Sequence, residues 1–171
     1  MTNPPAQKTP QRPQSKAAPA SDHAQVIAHP PLIYLAGILV GLGLDAIWPA
    51  PQLSAMVQYV LGGGLFAAGL AAVAASALTF RRAGTSVPTN TPTTALVSRG
   101  LYNYSRNPIY LSMTLAHVGI AAAVDSPWIL GMLPIVLVII RFGVIAREER
   151  YLEAKFGDAY RDYKARVRRW L

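Results

Sequence analysis

The chain has no cysteine, which excludes a disulfide framework, a thiolate metal site and a cysteine nucleophile. Charge is also scarce. Charged residues make up 14% of the sequence, against roughly a quarter in soluble domains. Residues 46–80 contain no Asp, Glu, Lys or Arg at all, so they cannot form an ordinary water-facing surface. Glycine-rich phosphate loops and dinucleotide fingerprints are missing. The Gly62-Gly63-Gly64 triplet sits in an apolar run, where close packing explains it. His117 also lies in an apolar run, with no second His or suitable Asp at ligand spacing, so no metal is assigned. It is expected to hydrogen-bond across helices or to face a cavity.

What is present is hydrophobic: 52% of the residues, gathered into runs at 31–48, 54–80, 109–124 and 127–146. The stretch from about Leu53 to Phe80 is long enough to span a bilayer as a helix, while the last two runs are marginal in length. The expected fold is therefore all-α, a polytopic membrane protein with about four transmembrane helices. Residues 1–30 form a Pro-rich tail expected to be disordered; five prolines and no aromatic residue fall in 1–22. The tail is not a signal peptide, because Lys8, Arg12 and Lys16 lie far from the first apolar run. Residues 31–171 form the domain, with a polar segment at 81–108. From 147 to 171, Leu152, Phe156, Tyr160, Tyr163 and Val167 recur at spacings of three and four. That pattern predicts an amphipathic helix on the membrane surface or against the polar segment, bent or broken at Gly157. Gly37 and Gly41 make a small-xxx-small pair suited to helix packing within the chain or to dimerisation.

All sixteen Lys and Arg fall in the tail, in 81–108, or from Arg141 onward. The links at 49–53 and 125–126 have none. Four spans place the basic segments on one side, which the positive-inside rule makes cytoplasmic, with both termini. Trp48 and Trp128 fall at the opposite ends. A bacterial plasma (inner) membrane suits the short loops. The net charge of +8 then reflects topology, and no nucleic-acid partner is expected.

Three groups of residues can carry chemistry. In Ser98-Arg99-Gly100-Leu101-Tyr102-Asn103-Tyr104-Ser105-Arg106-Asn107-Pro108-Ile109-Tyr110, Asn107 is expected to cap a helix that Pro108 begins. Arg99 and Arg106 suit inside-facing positive charges, which leaves Gly100, Tyr102 and Tyr110 without an account. In Arg147-Glu148-Glu149-Arg150, a carboxylate pair leaving a membrane helix reads first as a solvated, salt-bridged turn; Glu148, the more inward of the two, could instead hold a cationic ligand group. Arg141 lies inside the fourth run, where a charge either faces a cavity or snorkels to the interface.

The string 100–110, the helical hairpin after it, Glu148-Glu149, Leu152, Phe156-Gly157, Tyr160, Tyr163 and Arg166 to Arg169 together resemble the isoprenylcysteine carboxyl methyltransferase family and the related phospholipid methyltransferases. The resemblance covers roughly residues 92–170. It implies a membrane methyltransferase using S-adenosyl-L-methionine, bound in a cytosol-facing pocket of the last two spans. By position the cofactor contacts would be Thr94, Ala95, Leu96, Val97, Tyr102, Asn107, Pro108, Ile109, Tyr110 and Glu148. Two positions depart from the pattern. Asn107 stands where the family has His, and Val144 where eukaryotic members have a substrate-contacting Arg, a role that Arg141 can take over.

Methyl transfer from a sulfonium needs alignment more than a metal or protein nucleophile. A carboxylate acceptor is ionised at pH 7, and Arg141 can orient it. An amine acceptor needs a base, and none stands out. The implied partner is thus a lipid-like or prenylated acceptor reached from the bilayer. Phospholipid N-methylation and a non-catalytic membrane scaffold or transport accessory are the alternatives. The oligomeric state is left open.

Overall fold

A computed structural model describes residues 22–49, 54–87, 89 and 91–171. Its elements are five helices: α1 (Pro30–Ile47), α2 (Ala55–Arg82), α3 (Pro108–Ala123), α4 (Pro127–Phe156) and α5 (Asp158–Arg166). A single 3₁₀ turn covers Gly100–Asn103. No strand occurs among the described residues.

The helix starts follow local chemistry. Pro30, Pro108 and Pro127 each occupy a first-turn position, where a missing N–H costs nothing. Ser126 caps α4 by accepting the Ile129 N–H at 3.0 Å. Asn107 does not cap α3 with its side chain; its amide donates instead to the Arg169 carbonyl at 3.0 Å. The expected cap is corrected because the C-terminal tail competes for that amide.

Helices α1, α2 and α4 are long and apolar enough to cross a membrane. Large apolar side chains such as Leu39, Val60, Leu70, Ile135 and Phe142 point outward from them, as a lipid-facing surface requires. The sixteen-residue α3 is shorter, and none of its residues is exposed. It is the central helix, covered by its neighbours.

Close approach depends on glycine. A Cβ at Gly119 would collide with the Phe66 backbone on α2, and one at Gly41 would come within 2.6 Å of the Ile129 Cα on α4. Gly37 likewise faces Val136, so the Gly37/Gly41 pair serves packing inside the chain. His117 sits fully buried, with Nε2 donating to the Ile129 carbonyl at 3.0 Å and its ring edge-on to Tyr34. It ties α3 to α4.

At one end of the bundle, Trp128 Nε1 donates to the Trp48 carbonyl at 2.8 Å. The other end gathers Arg81, Arg82, the loop and the C-terminal segment. Two expectations change there. Residues 22–29, placed in a disordered tail by composition, pack on α4: Ile27 N–H donates to the Gly143 carbonyl, Arg147 to the Gln25 carbonyl, and Asp22 pairs with Lys155. Residues 1–21 lie outside the described set. The helix of the fourth run also continues past 146 into the amphipathic segment: α4 runs to Phe156 and ends at Gly157, whose φ of +55° is left-handed.

Candidate functional site

The loop between α2 and α3, the start of α3, the end of α4 and α5 enclose a cavity at the basic end of the bundle. Three features of the sequence build it. Gly100 has φ +62°, which lets the chain turn sharply into the Gly100–Asn103 turn and swing Tyr102 inward. Tyr102 packs edge-on against Phe80, with ring centroids 5.2 Å apart. The loop is tied by Thr85, whose hydroxyl accepts the Thr94 N–H at 2.8 Å. The C-terminal residues return along the motif: Arg106 N–H donates to the Arg168 carbonyl at 2.9 Å, and the Tyr163 hydroxyl donates to the Tyr102 carbonyl at 2.8 Å. The apolar stripe of the amphipathic segment therefore faces the loop.

Glu148 is 6% exposed. Its Oε1 accepts from the Tyr110 hydroxyl at 2.6 Å and the Thr89 hydroxyl at 3.2 Å. Among the described residues no Lys or Arg pairs with it. Glu149, 9% exposed, differs. Arg169 holds it with a two-pronged fork, Nε at 2.8 Å and Nη2 at 2.7 Å, and Arg106 Nη1 lies 3.3 Å away. Burial pushes the Tyr102 hydroxyl far above the ordinary tyrosine range, with the Glu148 charge adding to the rise. Tyr160 is pushed up to about 12, first by burial and then by the Glu149 charge. Both are neutral donors at any physiological pH.

Of the residues expected to hold a cofactor, Ala95, Leu96, Val97, Tyr102, Asn107, Ile109, Tyr110 and Glu148 line the cavity. Thr94 and Pro108 do not: Thr94 turns back onto Thr85, and Pro108 opens α3. Phe80, Thr93, Arg106, Glu149, Tyr160 and Tyr163 also line it. Arg106 was legible as a residue of the motif but was explained by topology. The two tyrosines were legible in the apolar stripe and in the family resemblance, but not as residues that line the cavity.

Arg141 lies elsewhere. It lines an open, mainly apolar groove of about 480 Å³ with Leu111, Thr114, Leu137, Val138, Phe142 and Trp170. Seven residues are two turns of a regular α-helix, so 141 and 148 would share a face. The wide π-type turn at Ile140–Ile145 shifts the register and sends them to different sides. Val144 is wholly buried in the apolar core with Tyr34, Tyr110 and Val136, so it packs there and lines neither the Glu148 cavity nor the Arg141 groove. The enclosed space at Glu148 is small, about 50 Å³, well below the ~300 Å³ at the low end for ligand pockets.

The chain matches an uncharacterised protein of Haemophilus influenzae at 64% identity over 42 residues, which is 25% of this chain and 65%, just under two thirds, of that relative's length. No solved structure matches. The phospholipid methyltransferase family profile matches residues 57–159, from the start of the second span to the turn of α5 and across both glutamates. By that match, over more than half its length, the chain belongs to the phospholipid methyltransferase family.

Proposed function

We propose that this chain transfers the methyl group of S-adenosyl-L-methionine to a lipid-like or prenylated acceptor bearing an anionic group, in the manner of the carboxyl O-methyltransferases. The observation that carries this reading is Glu148, a buried carboxylate with two hydroxyl donors and, among the described residues, no basic partner. A buried charge is costly unless it is paired, so the site suits a ligand with a cationic group. The donor set fits the cofactor: Glu148 would hold its ammonium end, and the wall of Val97, Tyr102, Ile109 and Tyr110 would take its adenosine. When bound, S-adenosylmethionine supplies an electrophilic methyl group on a sulfonium.

The protein then aligns and excludes water, an effect worth about 7–11 kcal/mol in well-oriented reactions. The cavity must open to admit a nucleoside. The Thr89–Glu148 hydrogen bond closes the loop over it, so the loop is the part that moves. The acceptor's apolar chain would lie in the groove beside Leu137, Val138 and Phe142, whereas Arg141, turned to a different side of α4 from Glu148, is not assigned to the reacting group. The groove opens to the side, which suits an acceptor arriving from the bilayer. The basic end is the cytoplasmic end of this reading, in a bacterial inner membrane, by the positive-inside rule.

Titration of the detergent-purified protein with S-adenosylmethionine tests the cofactor; heat-silent, unsaturable mixing would end the enzyme reading. Labelled cofactor with separate prenylcysteine and phosphatidylethanolamine acceptors then tests the acceptor. Family membership favours a second reading, phospholipid N-methylation, and label in the phospholipid alone would select it.

A further inference from the structure

The cavity contains a second leftover charge. The Arg106 side chain is 9% exposed and lines the same space as Glu148. Its Nε and Nη1 are buried and, among the described residues, find no acceptor in hydrogen-bonding geometry. Nη1 lies 3.3 Å from Glu149 Oε1, but the Arg169 fork already engages both Glu149 oxygens. Two guanidinium groups thus share one carboxylate, and Arg169 has the better geometry. Arginine cannot shed its charge, so burial leaves Arg106 with donors in search of an anion.

Arg106 does not pair with Glu148 among the described residues. Each is held by its own element. The Arg106 backbone is pinned by the Arg168 carbonyl, and the Glu148 carboxylate by Tyr110 and Thr89. One cavity therefore presents a guanidinium that is ion-paired with Glu149 yet keeps Nε and Nη1 without a hydrogen-bond acceptor among the described residues, and a buried carboxyl, Glu148, held only by hydroxyls; the two do not pair with each other. We infer that Arg106 and Glu148 form a zwitterion reader: Glu148 receives the ammonium and Arg106 the carboxylate of an α-amino-acid group. The inference rests on the cofactor reading above and goes further, since it assigns the carboxylate end to a residue outside the expected contacts. It also gives Arg169 a purpose. By engaging both Glu149 oxygens in hydrogen bonds, Arg169 leaves Arg106 only a 3.3 Å ion-pair contact with that carboxylate, so Arg169 is a positioning residue.

Three ligands separate the groups: S-adenosylhomocysteine, which has both charges; S-adenosyl-3-thiopropylamine, which keeps the amine and lacks the carboxylate; and methylthioadenosine, which lacks both. The full chain in detergent is titrated with each, and its thermal unfolding is followed alongside. Wild type should bind the first at least tenfold tighter than the second. Arg106→Gln should reduce that preference to less than threefold while still favouring the amine over methylthioadenosine. Glu148→Gln should erase the amine preference instead. Where Arg106→Gln does not fold, Arg106→Lys, which keeps charge but loses the fork, should show a reduced preference. Equal wild-type affinity for the first two ligands, or an intact preference in the Arg106 variant, overturns the inference and leaves the cofactor reading standing. Failure of wild type to bind any of the three overturns both.

Discussion

Glu148 and Glu149 are neighbours in the chain, yet they meet different chemistry. Glu149 faces two guanidinium groups, one of them with two prongs, and so is held as part of the framework. Glu148 faces two hydroxyls. Their substitutions should separate. Glu148→Gln should weaken S-adenosylmethionine binding by about 2 kcal/mol or more, roughly thirtyfold, since a buried charge pair is lost. Its melting temperature should barely fall. Glu149→Ala should do the reverse: stability should drop by about 3 kcal/mol, because the buried Arg106 and the part-exposed Arg169 lose their shared anion. Calorimetric titration and thermal unfolding of the same samples read both, and equal effects on binding would remove the distinction. Tyr110→Phe should cost about 1.5–3 kcal/mol of stability through the lost 2.6 Å bond to a carboxylate.

At the scale of elements, the hairpin of α2 and α3 depends on glycine where backbones touch. Gly119→Ala forces a Cβ into the Phe66 backbone, whereas Gly63 faces open space. The first should lower stability by about 1–3 kcal/mol. Gly63→Ala should be neutral or stabilising by up to about 1 kcal/mol through helix propensity. Thermal unfolding in detergent compares them, and equal melting points would mean that the contact yields freely. The C-terminal residues act as an element although they have no regular structure. Arg168 and Arg169 supply carbonyls to Ser105, Arg106 and Asn107. Removal of 167–171 should therefore abolish cofactor binding and speed proteolysis within 84–107, with the α1–α4 bundle retained. A shortened chain that binds normally would show that the tail is dispensable.

For the whole molecule, lack of cysteine makes the orientation directly measurable. Val124 and Tyr104 are exposed at opposite ends of α3. In intact bacterial cells a membrane-impermeant maleimide should label Val124→Cys and reach Tyr104→Cys only after permeabilisation. The opposite pattern would invert the proposed orientation. Charge distribution carries this expectation because moving basic segments across a bilayer is unfavourable.

The spans, their order and the grouping of basic segments at one end were determined by the sequence alone. Those features arise from transfer of apolar runs into lipid, a local property of each run. The motif at 100–110 and the glutamates were legible as candidates for the same reason: their spacing is local. Tertiary structure alone decided which of them meet. It separated Arg141 from Glu148 through a wide turn in α4 and drew residues 22–29 out of the tail onto that helix. It also returned the last residues to the motif, where Arg169 takes the hydrogen bonds of Glu149 and leaves two buried Arg106 donors without an acceptor among the described residues. Helix register and long-range pairing depend on contacts between residues tens of positions apart, and no local pattern encodes which carboxylate will be claimed.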